Sequence, residues 1–143
     1  IHFAYGCHTT VGDHFYSNFN LTVVDDGRVS IGNSVMFGPN VTISTTGPPV
    51  HPYYRMRGAH FSLPVVIEDG VWIGANVVVM PGVTIGKNSV IGAGSVVTRS
   101  IPAGSFAAGN PCRVIRTLTK ADSLAGKPEI LGEYSVNAPE KQA

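Results

Sequence analysis

The sequence predicts an all-β chain wound as a parallel β-helix, because aliphatic residues recur every six positions and most of them are β-branched. Ile67, Ile73, Val79, Ile85, Ile91 and Val97 hold that period without a slip. Four residues after each stands a second small or apolar residue: Val71, Val77, Val83, Ser89, Ser95 and Ile101. Glycine often follows the first position, as in Ile73-Gly74, Ile85-Gly86 and Ile91-Gly92. An amphipathic helix would need three-to-four spacing, and an antiparallel sandwich would show turns at uneven intervals of roughly 8–12 residues. A strict six suits a short strand plus a tight corner. Three such units close a triangular coil, coils stack, and residues 18 apart, such as Ile67 and Ile85, should lie in line.

The same register returns earlier at Ile31, Phe37 and Ile43, with Val35 and Val41 at the second inward position, and more loosely at Val11, Phe15 and Leu21. The helix is therefore expected over residues 1–116. Within it the pattern fails across residues 44–64, a stretch that holds Pro48, Pro49 and Pro52 beside Tyr53 and Tyr54. Solenoids admit insertions at corners and present binding groups there, so this segment is expected to be a protruding functional loop. After Ile101 the apolar run Phe106–Arg116 is expected to cap the last coil. Residues 117–143 are polar and aperiodic, which predicts a C-terminal extension with a short helix near Lys120–Leu124 and then a mobile tail.

Composition narrows the function. Only 13% of the 143 residues are charged and 43% are hydrophobic, so the chain is ordered and much of its surface is expected to meet partner subunits. Net charge is +1 with no basic stripe, which excludes a nucleic-acid groove. No apolar run is long enough to span a membrane, and Cys7 and Cys112 read as free thiols of a cytoplasmic protein. The chain starts at Ile1 in mid-pattern, so a preceding segment is expected. His2, His8 and His14 are spaced by six, which suggests a zinc site of the hydro-lyase kind. On a three-sided coil, however, that spacing points them outward from successive faces, and no metal is expected.

Three segments carry a resemblance: FYSNFNLTVVDD at Phe15–Asp26, the repeats from Ile67 to Thr98, and AAGNPCRVIR at Ala107–Arg116. Over residues 3–116 the chain resembles bacterial sugar O-acetyltransferases of the maltose and galactoside type, with nodulation acetyltransferases as near relatives. The resemblance implies a single-stranded left-handed β-helix, a homotrimer with sites between subunits, acetyl coenzyme A as donor and a sugar hydroxyl as acceptor. It also implies a loop histidine that takes the acceptor proton. The family loop reads T-G-H-P-V-H, whereas here it reads Thr46-Gly47-Pro48-Pro49-Val50-His51, so Pro48 occupies the place of the base. Ala59 stands where a supporting glutamate is usual.

Proline and alanine can neither carry nor orient a proton. His51 and His60, on the same loop, are the candidates for a relocated catalytic base. On the donor side the resemblance assigns Ala75 and Ala93, with Gly92 and Gly94, to a flat strip that admits the pantetheine arm, and Thr98, Arg99, Arg113 and Arg116 to the nucleotide end. On the acceptor side it assigns Tyr16, Asn18 and Asp26, with Ala4 where a serine is common. Two readings follow: an acetyl-coenzyme-A-dependent O-acetyltransferase with a relocated or degenerate base, or a catalytically silent trimer that binds coenzyme A or a sugar.

Overall fold

Short strands stacked in register on three faces make up nearly all of a computed structural model, which describes residues 1–122. Face I carries His2–Phe3, Thr22–Val24, Thr42–Ser44, Val78–Val79 and Val96–Val97. Face II carries Thr9–Val11, Val29–Ile31, Val65–Ile67 and Thr84–Ile85, and face III carries Tyr16–Ser17, Met36–Phe37, Trp72–Ile73 and Val90–Ile91, continued by Ser105–Gly109 and Cys112–Thr117. The chain visits the faces in the order I, II, III, and all pairing between coils is parallel. This is the left-handed parallel β-helix that the six-residue period and the resemblance led us to expect.

Both inward positions of the repeat are buried. Ile67, Ile73, Val79, Ile85, Ile91 and Val97 are at most 1% exposed, and Val71, Val77, Val83, Ser89 and Ser95 are equally covered. The two serines are tolerated because Ser89 Oγ donates to the Pro102 carbonyl at 2.8 Å and Ser95 Oγ accepts from the Gly109 N–H at 3.0 Å. Coils are joined by backbone bonds such as Trp72 N–H to the Ser89 carbonyl at 3.0 Å and Gly74 N–H to the Ile91 carbonyl at 2.9 Å. At the corners the backbone enters the left-handed region every six residues, at Gly70, Asn76, Gly82, Asn88 and Gly94. Glycine and asparagine are the residue types that accept this conformation.

The expected 18-residue coil holds where Val66 pairs with Thr84, Trp72 with Val90 and Val78 with Val96, but the first two coils take 20, since Tyr16 pairs with Met36 and Thr22 with Thr42, and the last takes 16, since Ile85 bridges Ile101 and Val90 pairs with Phe106. The surplus lies on one edge. From face I to face II the chain takes eight residues between Thr22 and Ser30, 24 between Thr42 and Val66, and six between Val78 and Thr84. Edge I/II therefore carries every irregularity of the coil, including the loop.

One expectation needs correction. Val11 is 45% exposed, because it belongs to the first coil and has a strand on one side only. The terminal apolar run follows the last coil, where the C-terminal cap is expected. It forms an antiparallel hairpin that prolongs face III and turns Ala107 and Cys112 inward. Burial pushes the Cys112 thiol up, outweighing the Ser95 hydroxyl and nearby Arg113, so this sulfur is core filling. Beyond the hairpin the described residues end on a 3-10 turn, Lys120–Asp122, within the stretch expected to be a short helix, and the rest of the expected extension lies outside the described residues.

The core argument yields a measurement. Ile73→Ala removes a fully buried side chain from the centre of the stack and should lower unfolding free energy by about 2–5 kcal/mol in urea titrations. A loss well under 1 kcal/mol would mean that the interior is not close-packed there.

Candidate active site

Edge I/II is organised by Asp25. Its side chain is wholly covered and accepts from the N–H groups of Tyr5 at 2.9 Å and Gly6 at 2.9 Å and from the Thr9 hydroxyl at 2.9 Å. Burial alone would raise the carboxyl, but the Tyr5, Gly6 and Thr9 donors together outweigh it and hold the group below its ordinary value. The Asp25 carbonyl accepts from His8 Nδ1 at 2.7 Å, and the His8 ring leans on Tyr5 with centroids 5.6 Å apart. These contacts fix a corner whose outer side is a cleft of about 340 Å³ lined by Cys7, His8, Thr10, Asp26 and Arg28. Asp26 is thus exposed beside an imidazole, a thiol and a guanidinium.

The loop stands directly on this corner. Thr45 is buried, its hydroxyl accepts from the Gly27 N–H at 2.9 Å, and a side chain at Gly27 would meet Ser62 Cβ at 3.3 Å. From there an antiparallel ribbon rises, with Thr46 opposite Ser62 and Gly47 opposite Phe61. At its tip the helical turn Pro52–Arg55 is capped by His51, whose Nδ1 accepts from the Tyr53 N–H at 3.2 Å. Arg57 lies 3.6 Å from the Tyr53 ring centroid, and its guanidinium donates to the Tyr53 carbonyl at 3.0 Å. His60 Nδ1 donates to the Gly58 carbonyl at 2.8 Å. Both loop imidazoles are exposed, as is Pro48.

The remaining candidates divide between places. Ala75 and Ala93 lie on edge III/I rather than on a flat face, one above the other, with the Gly94 N–H donating to the Ala75 carbonyl at 2.8 Å. Coils approach so closely there that a Cβ on Gly38 would lie 2.7 Å from the Ala75 nitrogen, and one on Gly74 2.7 Å from the Ala93 nitrogen. The result is a strip of bare backbone. Asn18 occupies the same edge, its Oδ1 accepting from the Phe19 N–H at 2.8 Å, and Tyr16 projects from face III just before it. Thr98 and Arg99 follow Val97 at edge I/II, in line with the loop.

Arg113 and Arg116 are on the terminal hairpin. Arg116 grips Asp122 through two bonds of 2.6 and 2.9 Å, and that bond raises its guanidinium further. Within one chain, then, Asp26, the loop, Thr98 and Arg99 share edge I/II, whereas Asn18, Ala75 and Ala93 share edge III/I. Face I separates them. A six-residue side at roughly 3.3 Å per residue spans about 20 Å, too far for a single small acceptor to bridge. A second hollow of about 290 Å³, on edge II/III between Glu68, Asp69 and Lys87, holds none of these residues. Among the described residues no group of three or more His, Cys, Asp or Glu is placed to hold a metal ion, and no helix is long and apolar enough to cross a membrane.

Residues 64–99 match the family described as bacterial transferase hexapeptide (six repeats). The crystal structure of a maltose O-acetyltransferase from Clostridium difficile 630 superposes with a TM-score of 0.81 at 44% identity, covering 83% of this chain and 64% of that one. A hexapeptide-repeat containing acetyltransferase from Vibrio cholerae superposes equally well, with a TM-score of 0.81 at 37% identity over 83% of this chain and 68% of that one. This chain belongs to the hexapeptide-repeat acetyltransferases. A galactoside O-acetyltransferase of Escherichia coli (strain K12) is 55% identical over 122 residues, 85% of this chain and 60% of that protein. The chain thus spans about three fifths of the length of the curated relatives it matches. The Vibrio acetyltransferase has also been crystallised in complex with acetyl coenzyme A.

Sequence reasoning about this hexapeptide-repeat acetyltransferase gave no role to Asp25 or Arg28, read Cys7 only as a free thiol and weighed His8 only as a metal ligand. A signal for them existed in the eight-residue step at Thr22–Ser30, where two residues more than the repeat requires must bulge outward. Asp25 gives a test. Because its folded carboxyl is depressed, its contribution to stability is complete above the ordinary carboxylate value near 3.8 and is lost as pH falls through the lower folded value. Asp25→Asn places an NH₂ against backbone donors and should cost about 1–3 kcal/mol at neutral pH. In urea titrations that gap should close progressively in acid; a gap constant with pH would contradict the assignment.

Proposed function

We infer that this chain transfers the acetyl group of acetyl coenzyme A to a hydroxyl of a sugar or a similar acceptor, as a homotrimer with each site between two copies. One observation carries the reading. The residues expected to hold donor and acceptor fall on edges I/II and III/I of one prism, and only a neighbouring copy can bring the two edges face to face. The whole domain, residues 1–116, then acts as a rigid wall that presents one half-site to each neighbour.

On this reading the bare backbone beside Ala75 and Ala93 receives the extended pantetheine arm, whose amides pair with exposed peptide groups. Thr98, Arg99 and Arg113 meet the nucleotide end, where guanidinium groups suit phosphate oxygens. Arg116 contributes there after exchanging or sharing Asp122. Asp26 and Asn18 hydrogen-bond acceptor hydroxyls from opposite walls, and the Tyr16 ring covers a sugar face. The relatives' names, galactoside and maltose O-acetyltransferase, support a saccharide acceptor. The exposed free thiol of Cys7 suits the cytoplasm.

Face III supports the assembly. Tyr16, Met36 and Trp72 stand in register on its outer side, 52%, 51% and 54% exposed, and make an apolar column that a partner would cover. Light scattering should give roughly 45 kDa, three copies of the 15.0 kDa chain, and Met36→Glu should shift it toward the single-chain mass. A monomeric parent would contradict the shared site. For activity, acetyl coenzyme A should be consumed with a panel of galactosides, glucosides and maltose, with one acetyl group gained by the product in mass spectra. Absence of turnover across the panel would overturn the transferase reading.

A further inference from the structure

We propose that His60, rather than His51, is the general base that takes the acceptor's hydroxyl proton. The assignment rests on the transfer reading above and deepens it. Three observations on the loop carry it: the ribbon register, the side of the ribbon, and the tautomer of each ring.

The ribbon pairs Thr46 with Ser62 and Gly47 with Phe61. The paired ladder ends there, and the same register continued by one residue would set Pro48 opposite His60. Directly opposed side chains on an antiparallel pair have Cβ atoms roughly 4.5–5.5 Å apart, so an imidazole at position 60 projects beside the place that position 48 would command. Side chains two apart on a strand share a face, so His60 is on the side of Ser62, the residue packed over Gly27. Gly27 adjoins Asp26. His60 thus stands two residues along the chain from Ser62, on the returning side of the loop, whereas His51 caps the helical turn at its tip.

Protonation separates the two rings. A carbonyl oxygen only accepts, so the 2.8 Å contact with Gly58 requires a proton on His60 Nδ1. Neutral His60 then presents a bare Nε2 lone pair to solvent, as a base must. His51 has the reverse arrangement: its Nδ1 accepts the Tyr53 N–H, so the neutral ring carries its proton on Nε2 and offers only a donor outward. Protonating His51 would break the cap. His8 has the tautomer of His60, held by the Asp25 carbonyl, and lines the acceptor cleft itself.

In the step assigned to His60, Nε2 removes the hydroxyl proton while the acceptor oxygen bonds to the thioester carbonyl carbon. The carbon–sulfur bond breaks, and the leaving sulfur takes the proton back from the imidazolium. Coenzyme A departs as the thiol, and His60 returns to its starting tautomer.

The test uses the full chain with acetyl coenzyme A and whichever acceptor of the panel turns over fastest. His60→Gln should lower kcat by roughly 10²–10⁴-fold with little change in KM for acetyl coenzyme A, while His51→Gln stays within a few-fold of the parent. Adding Pro48→His to His60→Gln should recover part of the loss, because it returns an imidazole across the ribbon. A parental kcat in His60→Gln, or a comparable loss in His51→Gln or His8→Gln with His60→Gln unaffected, overturns the assignment. An inert parent that begins to turn over with Pro48→His also overturns it while sparing the transferase fold. A parent inert in every form defeats the transfer reading and this assignment together. Independently of turnover, nitrogen-15 NMR of the histidine rings should show neutral His60 as the Nδ1–H tautomer and His51 as Nε2–H. Nε2–H at His60 rules it out as the base.

Discussion

Each coil of this protein rests on the next at backbone distance, and everything else follows from how little room that leaves. Parallel hydrogen bonds tie every strand to its neighbours above and below, and the edges are tighter still. A single methyl on Gly74 would lie 2.7 Å from the next coil's backbone nitrogen, and one on Gly86 would collide with Ala103. Inside, the prism is filled by Val, Ile and a few satisfied serines. A stack so constrained leaves little interior room for a site. Chemistry must sit on its outer columns and edges.

Of the three edges, I/II is the one that departs from the repeat, by two residues in each early coil and by the whole loop in the next. These departures are compatible with the stack because they leave the inward positions untouched: Leu21, Val23 and Val29 on either side of the Asp25 corner are as buried as their counterparts in the regular coils. Asp25 ties the bulge down, accepting three donors at once, and Thr45 ties the loop to it. The site thus has a rigid floor and a ribbon with its own pairing, and the proposed assembly adds a facing wall from another copy.

Much of this was legible in the sequence. The period alone identified the inward residues from Ile31 to Ile101, and its failure marked the loop, because one face of a strand must be apolar wherever it lines a core. Edge identity was not legible. Ala75 and Thr98 both follow an inward residue by one or two positions and look alike, yet they stand on different edges, because position around the prism depends on a count taken three steps at a time. The eight-residue steps at Asp25 and Tyr5 upset that count for the first coils. Nor does spacing reveal which nitrogen of a loop imidazole carries its proton. That depends on carbonyls and N–H groups, Gly58 for His60 and Tyr53 for His51, which the loop brings near only once it is folded.

The claim that one site is assembled from two unlike edges is tested most directly by a crystal structure of this chain with coenzyme A. The account predicts the pantetheine arm stretched beside Ala75 and Ala93 of one copy, with its sulfur opposite the ribbon and the Asp26 corner of the neighbouring copy. Coenzyme A seated on the surface of one chain alone, or copies that meet without bringing edges I/II and III/I together, would contradict it.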